Sequence, residues 1–154
     1  KVESAAQMFE ACMESLPADI AVLAAAVSDW RPKQAPPRKI KKVHGKKPPS
    51  LLLEENLDIL SCLSQPGKTR PQLVVGFAAE TDNILENAKS KRTSKGCDWI
   101  VANDVSPELG TFTGDTNTVH LITQDGIEDW PQLSKSAVAE RLANHIAKAL
   151  TLTA

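Results

Sequence analysis

A carboxylate, two groups of lysines and one aromatic ring stand at positions where they could hold a phosphorylated ligand. Asp29 stands just past an apolar run, Ala21 to Val27, that stops at Ser28-Asp29-Trp30-Arg31. A carboxylate just past a buried strand can hold Mg2+ or a ribose hydroxyl in the crevice outside the strand's carboxyl end. It equally suits a turn, where it accepts local backbone N–H groups. Arg38, Lys39, Lys41 and Lys42, with Lys46 and Lys47 behind them, supply cations of the kind that close over phosphates. A solvated basic loop has the same composition. Lys91 and Lys95 fall near the end of a helical pattern, where the macrodipole alone favours cations by about 0.3–1 kcal/mol. Phe77, in Val74-Val75-Gly76-Phe77-Ala78-Ala79, reads as core, yet Gly76 and the two alanines leave room for a flat ring against the backbone.

Other chemistries are not signalled. His44, His120 and His145 are scattered, which proposes neither a metal cluster nor a catalytic triad. Neither GxGxxG nor GxxxxGK[ST] occurs, so the usual phosphate-binding loop is missing from the chain. Cys12, Cys62 and Cys97 are odd in number, far apart and without CxxC spacing, and are expected to be reduced and buried rather than bridged or zinc-bound.

The elements that must position these groups are those of an α/β protein with a doubly wound, mainly parallel, Rossmann-like sheet. Besides Ala21 to Val27, the apolar runs Leu73 to Ala79 and Trp99 to Ala102 also stop at polar clusters, Glu80-Thr81 and Asn103-Asp104. Strands covered on both faces read as unbroken apolar runs, and ligands bind beyond their carboxyl ends, so all three clusters are expected to face one pocket. Helices are predicted over Val2 to Leu16, Asn56 to Leu63 with Asn56 as N-cap, Thr81 to Lys95 capped by Thr81 or Asp82 and ended by Gly96, and Ser134 to Leu150. The last of these buries Val138, Leu142, Ile146 and Ala149. Residues 31–55, rich in Pro, Lys and Arg and ending in a short strand Leu51 to Leu53, read as a basic flap. Thr118 to Thr123 and Ile127 to Trp130, around Gln124-Asp125-Gly126, read as an antiparallel hairpin at the sheet edge. A helix that leads into a parallel strand implies an earlier strand for it to follow, so the domain is expected to be cut at its front.

Composition narrows the classes. The 154 residues suit one domain, and 42% hydrophobic with 24% charged residues is ordinary for a soluble globular protein. A net charge of -1 and the lack of aromatics interleaved with Lys39 to Lys47 argue against a nucleic-acid partner. No apolar stretch approaches the roughly 20 residues that cross a bilayer, and no signal-peptide core opens the chain, so no membrane partner and a cytoplasmic location are expected. The sheet pattern also permits a nucleotide-binding fragment of an NAD(P)- or flavin-dependent oxidoreductase, against which the missing glycine fingerprint counts.

Six strings in order, AAAVSDWRP, KIKK, ENLDIL, VGFAAET, KSKRTSKGCDWIVANDVS and GDTN, closely resemble the synthetase domain of bacterial phosphopantothenoylcysteine synthetase, also called phosphopantothenate-cysteine ligase. The resemblance runs from about residue 5 to the closing helix and covers the C-terminal part of the family's domain; the family's opening strand and Gly-rich loop have no counterpart here. It implies a homodimeric, CTP-dependent ligase of coenzyme A biosynthesis, commonly fused behind a decarboxylase that carries the only FMN. The carboxylate of 4'-phosphopantothenate attacks the α-phosphate of CTP to give an acyl-cytidylate, and cysteine then displaces CMP. By this resemblance Lys39 is the flap lysine needed for turnover, and Asp29 holds nucleotide and Mg2+. Leu23, Ala24 and Ala25 form the backbone beside the nucleotide, and Asn56, Leu57, Asp58 and Ile59 match an Asn-Pro-Asp-Ile segment in which Leu57 replaces proline. Phe77, Lys91 and Lys95 match further nucleotide contacts. The choice of CTP over ATP rests on the resemblance alone.

Overall fold

The computed structural model describes residues 1–34, 40–41, 45, 47, 50–105 and 115–152. Its element order is α1 (Ala5–Glu14), β1 (Ile20–Leu23), β2 (Trp30–Pro32), β3 (Leu53–Glu55), α2 (Ile59–Ser64), β4 (Leu73–Glu80), α3 (Ile84–Lys95), β5 (Trp99–Asp104), β6 (Thr116–Asn117), β7 (Val119–Ile122), β8 (Ile127–Asp129), β9 (Leu133–Ser134) and α4 (Lys135–Leu152). The main sheet has the order β1-β4-β5-β7-β8. The pairs β1–β4 and β4–β5 are parallel, and the β7–β8 hairpin closes the far edge with antiparallel pairs. This is the expected α/β, doubly wound architecture with its edge hairpin.

Side-chain alternation along the strands supplies two apolar layers. Leu73 and Val75 of β4, Val101 of β5, and Val119 and Leu121 of β7 meet Val138, Leu142 and Ile146 of α4, around the buried Trp130. On the other face Val74, Ala78, Ile100, Ala102 and Ile122 meet Ala88 of α3, with Leu60 of α2 packed beside them. The spacing of Val138, Leu142 and Ile146 is one stripe of a helix, and Ser134 Oγ accepts the Ala137 N–H (3.2 Å) to start it. Ala149 is only half-buried. Among the described residues no helix is long and apolar enough to cross a membrane.

Several expected boundaries move, each for a local reason. The run Ala21 to Val27 is a strand only as far as Leu23, where its last partner, Gly76, is reached. The strand expected at Leu51 to Leu53 begins at Leu53, because the ladder is set by a distant partner: Trp30 faces Glu55, Arg31 faces Glu54 and Pro32 faces Leu53. Helix α2 starts at Ile59, capped by Asp58 rather than Asn56, since the Asp58 carboxylate accepts the Ser61 N–H at 2.9 Å. Helix α3 starts at Ile84, not Thr81. Thr81 donates to its neighbour Asp82, and Asn83 takes the cap position at φ 45°, a left-handed conformation that Asn tolerates. Gly96 ends α3 as expected, at φ 74° with its N–H on Arg92 O (3.0 Å). Of the three free cysteines only Cys97 is buried; Cys12 and Cys62 are half-buried.

Candidate functional site

A cleft of about 660 Å3 opens where the chain leaves β1 for the β2–β3 ribbon. Leu23, Ala24 and Ala25 form its floor at the end of β1, and Asp29 stands on the turn into β2. Asn56, Leu57, Asp58 and Ile59, at the start of α2, also line it, together with Phe77 of β4 and Lys91 and Lys95 of α3. The cleft therefore gathers Leu23, Ala24, Ala25, Asp29, Asn56 to Ile59, Phe77, Lys91 and Lys95, whereas Lys41 and Lys47 do not line it, and Lys39, like Arg38, Lys42 and Lys46, lies outside the described residues.

Local hydrogen bonds fix this arrangement. Asn56 donates through Nδ2 to Ser28 O and through its backbone N–H to Asp29 O, both at 2.8 Å, so the turn that carries Asp29 is stitched to the segment entering α2. Ser28 Oγ donates to Trp30 O at 2.9 Å. Arg31, at the base of the ribbon, donates from Nε to Glu54 at 2.8 Å across the pair. Trp30 is about half exposed and lines the cleft.

Charge is concentrated at the start of α2. Lys95 donates from Nζ to Asp58 Oδ2 while Asp58 Oδ1 accepts the Ser61 N–H. Burial pushes the Asp58 carboxyl up, but the Lys95 and Ser61 hydrogen bonds and the charges of Lys95 and Lys91 outweigh it and hold the group below its ordinary range. For Lys95 the Asp58 hydrogen bond holds the ammonium above its ordinary value against burial, and the charges of Asp58 and Asp29 add to the effect. Lys95 thus reaches away from the carbonyls of its own helix end, where the macrodipole explanation would leave it, and into the cleft.

Two expectations fail. Glu80-Thr81 and Asn103-Asp104 do not join Ser28-Asp29 in the cleft. Their strand ends are closed by backbone bonds, Val105 N–H to Glu80 O at 3.0 Å and Asp104 N–H to Thr118 O at 3.2 Å. Gly76 does not make room for a ring, because a Cβ there would lie 2.5 Å from Leu60 Cδ2 and 2.9 Å from Ile100 Cδ1. The absent side chain admits α2 to the sheet. Met8 and Cys12 also line the cleft, from α1; the sequence reading does not single out Met8 and expects Cys12 to be buried, whereas no residue of α1 is fully buried, and their i, i+4 spacing on one helix face is the signal that could have found them.

Residues 1–150 match the family described as DNA/pantothenate metabolism flavoprotein C-terminal domain. The Coenzyme A biosynthesis bifunctional protein CoaBC of Bacillus subtilis (strain 168) is 40% identical over 148 residues, 95% of this chain and 36% of that protein. The protein of the same name in Escherichia coli (strain K12) is 40% identical over 124 residues, 79% of this chain and 30% of that protein. A crystal structure of the C-terminal domain of CoaBC aligns with a TM-score of 0.71 at 34% identity, over 97% of this chain and 64% of that one. The DNA/pantothenate metabolism flavoprotein from Streptococcus pneumoniae shares the fold, with a TM-score of 0.69 at 17% identity over 96% of this chain and 69% of that one. This chain spans about a third of the length of the curated relatives it matches.

Proposed function

The chain belongs to the DNA/pantothenate metabolism flavoprotein C-terminal domain family, and on that premise we propose that it is the synthetase part of a coenzyme A biosynthesis enzyme, joining 4'-phosphopantothenate to cysteine at the expense of CTP. The observation that carries this reading is the convergence, around one cleft, of the strand-end carboxylate, the start of α2, Phe77 and the two α3 lysines. From Asp29 to Lys95 these residues span 66 positions of the chain, and it is the family resemblance that assigns them to one nucleotide site.

In this reading Ala24 and Ala25, lying beyond the last ladder pair of β1, turn backbone groups toward the nucleotide, and Phe77 bounds its ring. The reaction needs cations and positioning more than a protein nucleophile. The pantothenate carboxylate oxygen bonds to the α-phosphorus as pyrophosphate leaves; the cysteine nitrogen then bonds to the acyl carbon as CMP leaves. Lys39, in a flap spanning about residues 31–55, stabilises the charge that develops on phosphate. Among the described residues no three His, Cys, Asp or Glu side chains converge to cage a metal. The single carboxylate of Asp29 fits Mg2+ that arrives on nucleotide phosphates and keeps most of its water. When bound, that ion neutralises phosphate charge. The exposed Leu51, Leu52 and Leu53 beside the ribbon support the homodimer that the resemblance implies.

The test is ligation by the intact protein, followed as CMP and pyrophosphate release. Release of pyrophosphate must require 4'-phosphopantothenate, release of CMP must require cysteine as well, and Lys39→Gln should lower turnover by about 10²-fold with little change in melting temperature. Turnover that ignores CTP, or that survives Lys39→Gln intact, overturns the assignment.

A further inference from the structure

The two lysines of α3 enter the same cleft in different electrostatic states. Lys95 is ion-paired with Asp58, whose second oxygen is already committed to the Ser61 N–H at 2.9 Å. Lys91, one helical turn earlier, also lines the cleft and makes no ion pair among the described residues. It acts on Asp58 through its charge, not through contact. An ammonium already bound to a carboxylate offers an incoming phosphate little net charge, because the phosphate must compete with Asp58 and meets its repulsion. The pair still offers directed groups: Lys95 has donors to spare and the carboxylate has remaining lone pairs.

We propose that the cleft divides its two lysines, with Lys91 meeting phosphate and the Asp58–Lys95 pair acting as a fixed, electrically neutral hydrogen-bonding group for the uncharged nucleoside part of the ligand. This rests on the nucleotide-site reading above and adds a role for Asp58 that acts through Lys95. Asp58 is therefore a positioning residue. Its cap on α2 ties the pair to a rigid element, since Leu60, two residues on, is seated in the space left by Gly76.

The division predicts responses of opposite sign, which loss of structure cannot mimic. The probes are inorganic tripolyphosphate and cytidine, titrated separately into the intact protein by calorimetry at two salt concentrations. Lys91→Gln should weaken tripolyphosphate by about ten-fold, the scale of one charge-assisted hydrogen bond, flatten its salt dependence and spare cytidine. Asp58→Asn keeps the α2 cap, because Asn caps as well as Asp, but frees Lys95; it should tighten tripolyphosphate by about three-fold or more. The charge-balanced double variant Asp58→Asn with Lys95→Gln should leave tripolyphosphate near the wild-type affinity while weakening cytidine. Equal loss of tripolyphosphate in the double variant and in Lys91→Gln would place phosphate on Lys95 and overturn the division. A wild-type protein that bound CTP yet gave this result would retain the nucleotide-site reading, whereas one that bound neither CTP nor the probes would lose both.

Discussion

Gly76→Ala is the most informative single change, because the structure states what the added methyl meets. Its Cβ would lie 2.5 Å from Leu60 Cδ2, 2.9 Å from Ile100 Cδ1 and 3.1 Å from Leu60 Cδ1. Ordinary carbon contacts are about 3.5–4.0 Å, so the ends of the Leu60 and Ile100 side chains must retreat by about 1 Å. Inserting a methyl into a packed site costs about 1–3 kcal/mol, while replacing a strand glycine by alanine returns about 0.5–1 kcal/mol of backbone entropy. The difference of these ranges is a net loss of about 0–2.5 kcal/mol, centred on about 1 kcal/mol, which at its centre lowers the melting temperature of a domain of this size by roughly 2–4 °C. Calorimetric melting of the intact protein checks that figure. A second substitution, Leu60→Ala, supplies the internal control: it opens the space the methyl needs, so the double variant should be more stable than the sum of the two losses by about 1 kcal/mol. Because Asp58 caps the same helix and holds Lys95, CTP affinity should fall with Gly76→Ala and recover in part in the pair. A Gly76→Ala protein as stable as wild type, with losses that simply add to those of Leu60→Ala, would refute the packing role given to this glycine.

Two further outcomes follow from contacts outside the cleft. Asp98 accepts Arg70 Nη2 at 3.0 Å and 3.1 Å and the Val74 N–H at 2.7 Å, so Asp98→Ala should destabilise the fold by about 1–3 kcal/mol yet leave CTP affinity unchanged; a selective loss of affinity in denaturation-matched samples would contradict the clamp reading. Glu128 is held below its ordinary value of 4.5 first by the Arg141 hydrogen bond, then by His145, against burial. A depressed carboxyl adds stability that is present above its ordinary value and lost as the pH falls through its lowered one, so Glu128→Gln should lower stability near neutrality and flatten the acid limb below about pH 5, as measured by urea melts across that range.

What the sequence discloses here depends on how local the cause is. β4, β5 and α4 are legible because burial on both faces, or along one helical stripe, writes itself as an unbroken or periodic apolar pattern, and Gly96 because a helix end at φ 74° selects glycine. The β2–β3 ribbon is not legible. Its residues are mostly exposed, and its register depends on Trp30 finding Glu55. The cap of α2 shows the same limit: Asn56 and Asp58 are both good N-caps, and the choice is made by Lys95, 37 positions beyond Asp58. Resemblance had named the cleft residues. Chemistry alone left Asp29, Lys91 and Lys95 open between site and surface, because no pattern within a segment records that three distant segments meet.

The distribution of packing explains why a site at this end of the molecule can change without unfolding it. The core lies under β4, β5 and β7, where Val74, Val75, Ile100 and Val101 are fully buried. The Arg70–Asp98 clamp sits at the amino end of β4. The cleft is bounded instead by α1, which buries nothing, by the exposed ribbon, and by the first turn of α2. Elements with little buried apolar surface open at low cost, and a ligand bridging them gains from ordering what the core leaves loose. α2 is the exception. It belongs to both regions: Asp58 and Leu60 line the cleft, Leu60 also packs against the core of the sheet, and Leu63 is buried. If the proposed ligand binds at Asp58 and Lys95, the contact of Leu60 with Gly76, rather than the strand ends at Glu80 and Asn103, is where affinity and stability should prove inseparable.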